Sequence, residues 1–181
     1  GIAFVHYMYM RDMWVATGTS PTVFRYIDWL LTVPLLMIEF YFILSAVKKV
    51  SGGIFWRLLV GTLIMLIGGY LGEAGYIGVN LGFIIGMAGW IYILYEVFAG
   101  EAGQEAKKLK GAAASCFEFC KWIVTIGWAV YPLGYMFGYM TGSADQVELN
   151  IIYNLADFIN KLIFGLVIWH TAKSLTPATA K

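Results

Sequence analysis

Arg25-Tyr26-Ile27-Asp28-Trp29-Leu30-Leu31-Thr32-Val33-Pro34-Leu35-Leu36-Met37-Ile38-Glu39-Phe40 is the stretch on which the reading of this chain turns. Three ionisable side chains stand in an otherwise apolar run that extends from Thr22 to Ala46. A helix needs about 20 such residues to cross a bilayer, so the run is long enough to span one. Arg25, Asp28, Thr32, Leu36 and Glu39 follow one another at steps of three or four, which places them on a single helical stripe. An ionisable residue near the bilayer centre costs about 2.5–3.5 kcal/mol on insertion scales. The stripe must therefore face a protein interior, where its members find partners or a task.

Outward from this stretch, four more apolar segments are long enough to span a membrane: Phe55–Leu71, Val79–Ala99, Ala112–Met140 and Leu149–Lys173. Composition agrees. Residues of the AVILMFWYC set make up 60% of the 181 and charged residues 13%, against about 45–50% and 25% in soluble domains. Together with a mean hydropathy of +0.74, this makes the chain an integral membrane protein. Twelve basic residues stand against 11 acidic ones, which leaves no electrostatic footprint for nucleic acid. Cys116 and Cys120, one helical turn apart, are read as small core residues rather than a disulfide framework or a metal site. The amphipathic opening Ile2–Met10 is too short to span. It lacks a charged leader and a cleavage site, so it is expected to be the latter part of a helix and not a signal peptide.

Lysine and arginine sort by side, which sets orientation. Lys48, Lys49, Arg57, Lys107, Lys108, Lys110, Lys121, Lys173 and Lys181 fall on one side. The other carries Arg11 alone, with the acidic Asp12, Glu73, Asp145 and Glu148 read as loop residues. Five crossings with a cytoplasmic C-terminus are expected.

The last segment carries its own pair, Asp157 and Lys161, four apart on one face. Arg25 with Asp28, or Lys161 with Asp157, is explained equally by a structural ion pair, and Glu39 by snorkelling to the cytoplasmic interface. Lys161, at the middle of its segment, reaches neither interface. A buried lysine amine is suited to form a Schiff base with a carbonyl ligand. Asp28 and Glu39 lie about 16 Å apart along the helix axis. Lys161 is expected between them, so that a central amine gives a proton to one carboxyl and recovers one from the other. Trp29, Trp90, Trp128 and Tyr131 either enclose a long apolar ligand or pack an ordinary core.

The same residues carry a family resemblance. The run from Arg25 to Leu36, continuing to Glu39, resembles the third helix of the microbial rhodopsins. Tyr153-Asn154-Leu155-Ala156-Asp157-Phe158-Ile159-Asn160-Lys161 resembles their seventh, and Gly127-Trp128-Ala129-Val130-Tyr131-Pro132 their sixth. Within that family the chain is most similar to the proteorhodopsins, light-driven proton pumps of marine bacteria. The resemblance covers essentially all 181 residues as one transmembrane domain. It implies an all-α, seven-helix bundle, of which helix one and about half of helix two are not in this chain.

The resemblance also implies roles. Lys161 carries all-trans retinal as a protonated Schiff base, Asp28 is the primary proton acceptor, Asp157 the second counterion, and Arg25 organises both carboxylates. Glu39 matches the cytoplasmic proton donor, and Asp28, Thr32 and Glu39 together form the proton-pump set. His6 matches a histidine paired with the acceptor aspartate. Trp29, Trp90, Trp128, Tyr131 and Pro132 match retinal-pocket positions, with Tyr7, Tyr153 and Asn160 nearby. Leu36 sits at the colour-tuning position, where leucine goes with green absorption. Pro132 is expected to be a pivot and Pro34 a static kink. The implied partners are protons, retinal and the lipid of a bacterial inner membrane, with no nucleic acid, in rings of five or six copies. The implied activity is outward proton pumping and not enzymatic turnover. A sensory rhodopsin that signals through a partner, or a retinal-free proton or ion transporter, are the alternatives. Glu73, Asp12, Asp145 and Glu148 are candidates for proton release outside.

Overall fold

A computed structural model of the chain describes residues 1–176, all of its regular elements helical. Lys181, counted above with the basic side, lies outside the described residues. The first helix, α1 (Ile2–Thr17), runs past the expected end at Met10 and stops at Gly18, whose left-handed φ of 65° lets its amide donate to Trp14 O. Glycine adopts that conformation without steric cost, so Gly18 ends the helix and the Arg11-Asp12 pair before it does not. Arg11 and Asp12 therefore sit in a helix and not in a loop, paired with each other at 3.2 Å on the exposed surface.

Five segments are long and apolar enough to cross a membrane. Helix α2 (Thr22–Ser45) contains Pro34 without a break. Helix α3 (Gly52–Glu73) is capped by Ser51, whose hydroxyl accepts the Gly53 amide at 3.0 Å. Helix α4 (Val79–Phe98) pauses at Ala99–Gly100 and resumes as α5 (Glu101–Ala106), so the third expected segment continues beyond Ala99. The fourth is interrupted. Helix α6 (Gly111–Thr125) gives way to a 3-10 turn at Gly127–Ala129, then α7 (Val130–Tyr135) and a π turn at Met136–Met140. The 3-10 turn lies just before Pro132, which has no amide to offer the carbonyl four residues back. Asn160 Nδ2 donates to Gly127 O at 3.0 Å and meets one carbonyl of the irregular stretch. The last helix, α8 (Gln146–Leu175), opens on a capping box formed by Asp145 and Glu148.

The helices are polar inward and apolar outward. On α2, Arg25, Asp28, Trp29 and Thr32 are buried while Ile27, Leu31, Leu35 and Phe42 are exposed. That inversion suits a lipid surround, where buried polar groups must find protein partners. Helices α3 and α4 approach closely along facing glycines. A Cβ added to Gly82 would lie 2.6 Å from Gly72 Cα, and one added to Gly68 2.5 Å from Ile85 Cγ2. On the lysine-rich side, ion pairs join separate elements: Lys48, in the loop after α2, with Glu105 of α5, and Arg57 of α3 with Glu96 of α4 (3.0 Å) and with Glu101 of α5. The loop after α2 and the segment around α5 thus share one side, as the alternation of charge requires.

Candidate functional site

Two polar stripes face each other across the bundle. Arg25, Asp28 and Thr32 come from α2; on α8 the stripe is Asn150, Asn154, Asp157 and Lys161, at steps of four, three and four. The stripes meet at Lys161. Its Nζ donates to Asp28 Oδ2 at 2.5 Å and to Asp157 Oδ2 at 3.1 Å. Both carboxylates are essentially inaccessible to solvent. The amine, expected between Asp28 and Glu39, lies against Asp28.

The two carboxylates differ in their remaining partners. Asp157 also accepts from Tyr7 Oη at 2.6 Å, Tyr131 Oη at 2.7 Å and Trp29 Nε1 at 2.9 Å. Among the described residues, Asp28 has only His6 Nδ1, at 3.0 Å, besides the lysine. A buried carboxylate needs compensation, and charge-assisted hydrogen bonds are the strong kind. Asp157 is thus anchored by residues from α1, α2, α7 and its own helix. Asp28 is held more lightly.

Arg25, expected to organise both carboxylates, is buried and forms no ion pair with either among the described residues. Its guanidinium donates to Asn154 Oδ1 at 2.9 Å and Asn150 Oδ1 at 2.8 Å, and lies 5.4 Å above the ring of Tyr153. The reason is geometric: two amides four residues apart on α8 present paired acceptors to a planar fork of donors. Thr32 Oγ1 donates to the backbone carbonyl of Asp28, at 2.9 Å, and not to its carboxylate. Glu39 joins none of these residues. It lies 11 positions along α2 from Asp28, with its Oε2 buried and unpartnered among the described residues.

A cavity opens beside the lysine. Lys161, Trp29, Leu36, Trp90, Trp128, Tyr131 and Pro132 all border it, as does Asp157. Trp90 is fixed by its indole N–H, which donates to Val124 O at 3.0 Å. Trp29 packs edge-on against Tyr131 and Tyr153, with ring centroids 5.3 and 5.6 Å away. The opposite wall comes from α3 and α4 and includes Met65, Phe83, Gly86 and Met87. Sequence reading passed over these four, because an apolar cavity wall has the pattern of an apolar core. The arrangement can hold a long apolar carbonyl compound against a partly buried amine, with two carboxylates at the amine nitrogen.

Comparison with known proteins agrees with this geometry. The family of bacteriorhodopsin-like proteins matches residues 1–175. The chain is 54% identical over 173 residues to the green-light absorbing proteorhodopsin of Gamma-proteobacterium EBAC31A08, covering 95% of this chain and 70% of that one. Among solved structures, the blue light-absorbing proteorhodopsin from Med12 superposes with a TM-score of 0.82 at 49% identity, covering 97% of this chain and 79% of that one. Xanthorhodopsin, described as a light-driven ion pump with dual chromophore, superposes with a TM-score of 0.80 at 25% identity, over 96% and 75%.

Proposed function

The chain belongs to the bacteriorhodopsin-like family, and from that premise we propose that it is a retinal-binding pump that uses light to move protons outward across a bacterial plasma membrane. It is a multi-pass membrane transporter of the light-driven rhodopsin kind, not an enzyme. Its helical segments correspond to the later helices of a seven-helix rhodopsin bundle, residues 1–181 forming one domain. The observation that carries the proposal is the position of Lys161 Nζ. It lies within hydrogen-bond distance of both Asp28 and Asp157 and borders an aromatic-walled cavity.

The cavity suits retinal in its apolar and aromatic walls and in having a lysine amine on its border. Lys161 would hold retinal as a Schiff base, and the bound group would supply light absorption and a light-driven isomerisation. Trp29, Trp90, Trp128, Tyr131, Pro132 and Leu36 would confine it, and Leu36 supports green absorption.

The protein's own groups then divide the proton work. Asp28 accepts the proton from the Lys161 nitrogen. Protonating Asp28 disrupts fewer charge-assisted bonds than protonating Asp157, whose anion has Tyr7, Trp29 and Tyr131 in addition to the lysine. Asp157 stays an anion and keeps the nitrogen oriented. His6 holds the other oxygen of Asp28, and Thr32 fixes the helix turn beneath it. Glu39, about 16 Å along the axis on the opposite side of the nitrogen, returns a proton to it. The irregular turn before Pro132 is where that side opens. With the lysine-rich side and the C-terminus in the cytoplasm, net movement is outward. Rings of five or six copies are the assembly expected of the whole protein.

The test is pigment formation. Protein produced with all-trans retinal should absorb green light, and Lys161→Ala should give no pigment. A pigment that persists in Lys161→Ala would overturn the assignment.

A further inference from the structure

The cavity beside Lys161 is apolar along most of its wall, but the side away from the lysine carries a polar pair. Lys161 stands on α8; across the cavity, α3 contributes Met65, Gly69 and Glu73, and α4 contributes Phe83 and Gly86. Glu73 is not the loop residue expected from sequence but the last residue of α3, half-buried, and its Oε1 accepts a hydrogen bond from Tyr26 Oη at 3.0 Å. Tyr26, on α2, borders the cavity as well and is 4% exposed. Its ring packs on Trp29 and Tyr70, with centroids 4.9 and 5.3 Å away, which holds the hydroxyl in place.

Gly69 gives that hydroxyl its place on the cavity wall. A Cβ added to Gly69 would lie 2.6 Å from Tyr26 Oη, so a larger residue would push the phenol aside. The phenol has one proton, and it is committed to Glu73. What its oxygen still offers is acceptor capacity. These groups stand apart from the chemistry at the amine, where the nitrogen is met by Asp28 and Asp157. A ligand with a hydrocarbon end makes no use of them. A ligand with a donor at that end gains a hydrogen bond in surroundings where water competes little.

We propose that the cavity selects a retinal whose ring carries a hydroxyl, with the Tyr26–Glu73 pair accepting the hydrogen bond of that hydroxyl. This rests on the retinal reading above and narrows the ligand class. The ligand has an aldehyde at one end for the Lys161 amine, an O–H donor on the ring at the other, and an apolar polyene between aromatic walls. The donor is the discriminating feature. A ring ketone brings only an acceptor and meets acceptors. Retinal without a ring oxygen still fits, but less tightly. One such bond is worth a preference of about two- to tenfold.

The experiment is a competition for the retinal-free protein. Limiting equimolar pairs are supplied: all-trans retinal with all-trans 3-hydroxyretinal, with all-trans 4-hydroxyretinal, or with all-trans 4-oxoretinal. Pigment formation is followed by visible absorption, and the bound chromophores are released as oximes and their ratio read by chromatography. At least one hydroxylated aldehyde should be enriched about fivefold over retinal, and 4-oxoretinal should not be enriched. In Tyr26→Phe with Glu73→Leu the enrichment should disappear while retinal still forms pigment. Equal uptake of retinal and both hydroxylated aldehydes by the unsubstituted protein would overturn the proposal and leave the retinal reading intact; the Tyr26–Glu73 bond then only ties α2 to α3. Matching enrichment of 4-oxoretinal, or enrichment that survives the double substitution, overturns it equally. Should the double variant form no pigment, Tyr26→Phe is read in its place, and an undiminished enrichment there overturns the proposal. No pigment with any of the four aldehydes overturns the retinal reading as well.

Discussion

Lys161 Nζ and Asp28 Oδ2 lie 2.5 Å apart, joining residues 133 positions distant in sequence at the centre of the bundle. Asp28 is buried and Lys161 partly so, and Asp157 stands on the other side of the amine at 3.1 Å. Removing the lysine leaves two buried carboxylates facing one another. Breaking a buried pair in this way costs about 3–5 kcal/mol, because the remaining charge is uncompensated. Lys161→Ala should therefore unfold at lower temperature than the unsubstituted protein when both lack retinal. Lys161→Ala with Asp28→Asn should regain part of the loss, as differential scanning of the detergent-solubilised proteins would show.

Asp157 offers a graded series. Tyr7→Phe and Tyr131→Phe each delete one donor to its carboxylate, and hydrogen bonds to charged groups are worth about 1.5–3 kcal/mol. An anion left with fewer donors holds the neighbouring cation more tightly. Both substitutions should shift the pigment's absorption to shorter wavelength, whereas Asp28→Asn, which removes an anion, should shift it to longer wavelength. Visible spectra of the three proteins decide the signs.

Asn150 and Asn154 should matter for Arg25 more than for colour. Asn154→Leu removes an acceptor from a buried guanidinium whose Nε already has no partner among the described residues. A loss of about 2 kcal/mol in stability is expected, read as a lower denaturation midpoint, with a smaller spectral shift than Asp28→Asn produces.

Helix approach gives a prediction with an internal control. A methyl on Gly82 would meet Gly72 Cα at 2.6 Å and Gly72 N at 2.9 Å, both backbone atoms that cannot swing aside. A methyl on Gly78 meets nothing within 4 Å. Gly82→Ala should cost about 1–3 kcal/mol, the usual penalty of overpacking, while Gly78→Ala should be nearly silent in the same melt.

How much of this was legible depended on charge. A lysine or aspartate inside an apolar helix is conspicuous, so Arg25, Asp28, Asp157 and Lys161 stood out from the sequence, and their spacing placed them on two stripes. Asn150 and Asn154 belong to the stripe of Asp157 and Lys161, yet neutral amides raise no such alarm, and the partners of Arg25 were missed. Glu73 was read as a loop residue because the apolar run stops at Leu71; its bond to Tyr26 and its place on the cavity border show that it turns inward. Gly18 was the available stop signal for α1, and its left-handed backbone outweighed the charged pair Arg11-Asp12. The break at Gly127–Ala129 was foreshadowed by Pro132 but falls earlier, because proline's missing amide acts on the carbonyl four residues back.

The most direct measurement is the pH of an unbuffered suspension of cells that make the protein with all-trans retinal, under green light. The medium should acidify, the change should collapse with a protonophore, and it should be absent in Lys161→Ala and Asp28→Asn. A green-absorbing pigment that forms normally but leaves the medium unchanged, or makes it alkaline, would contradict an outward proton pump.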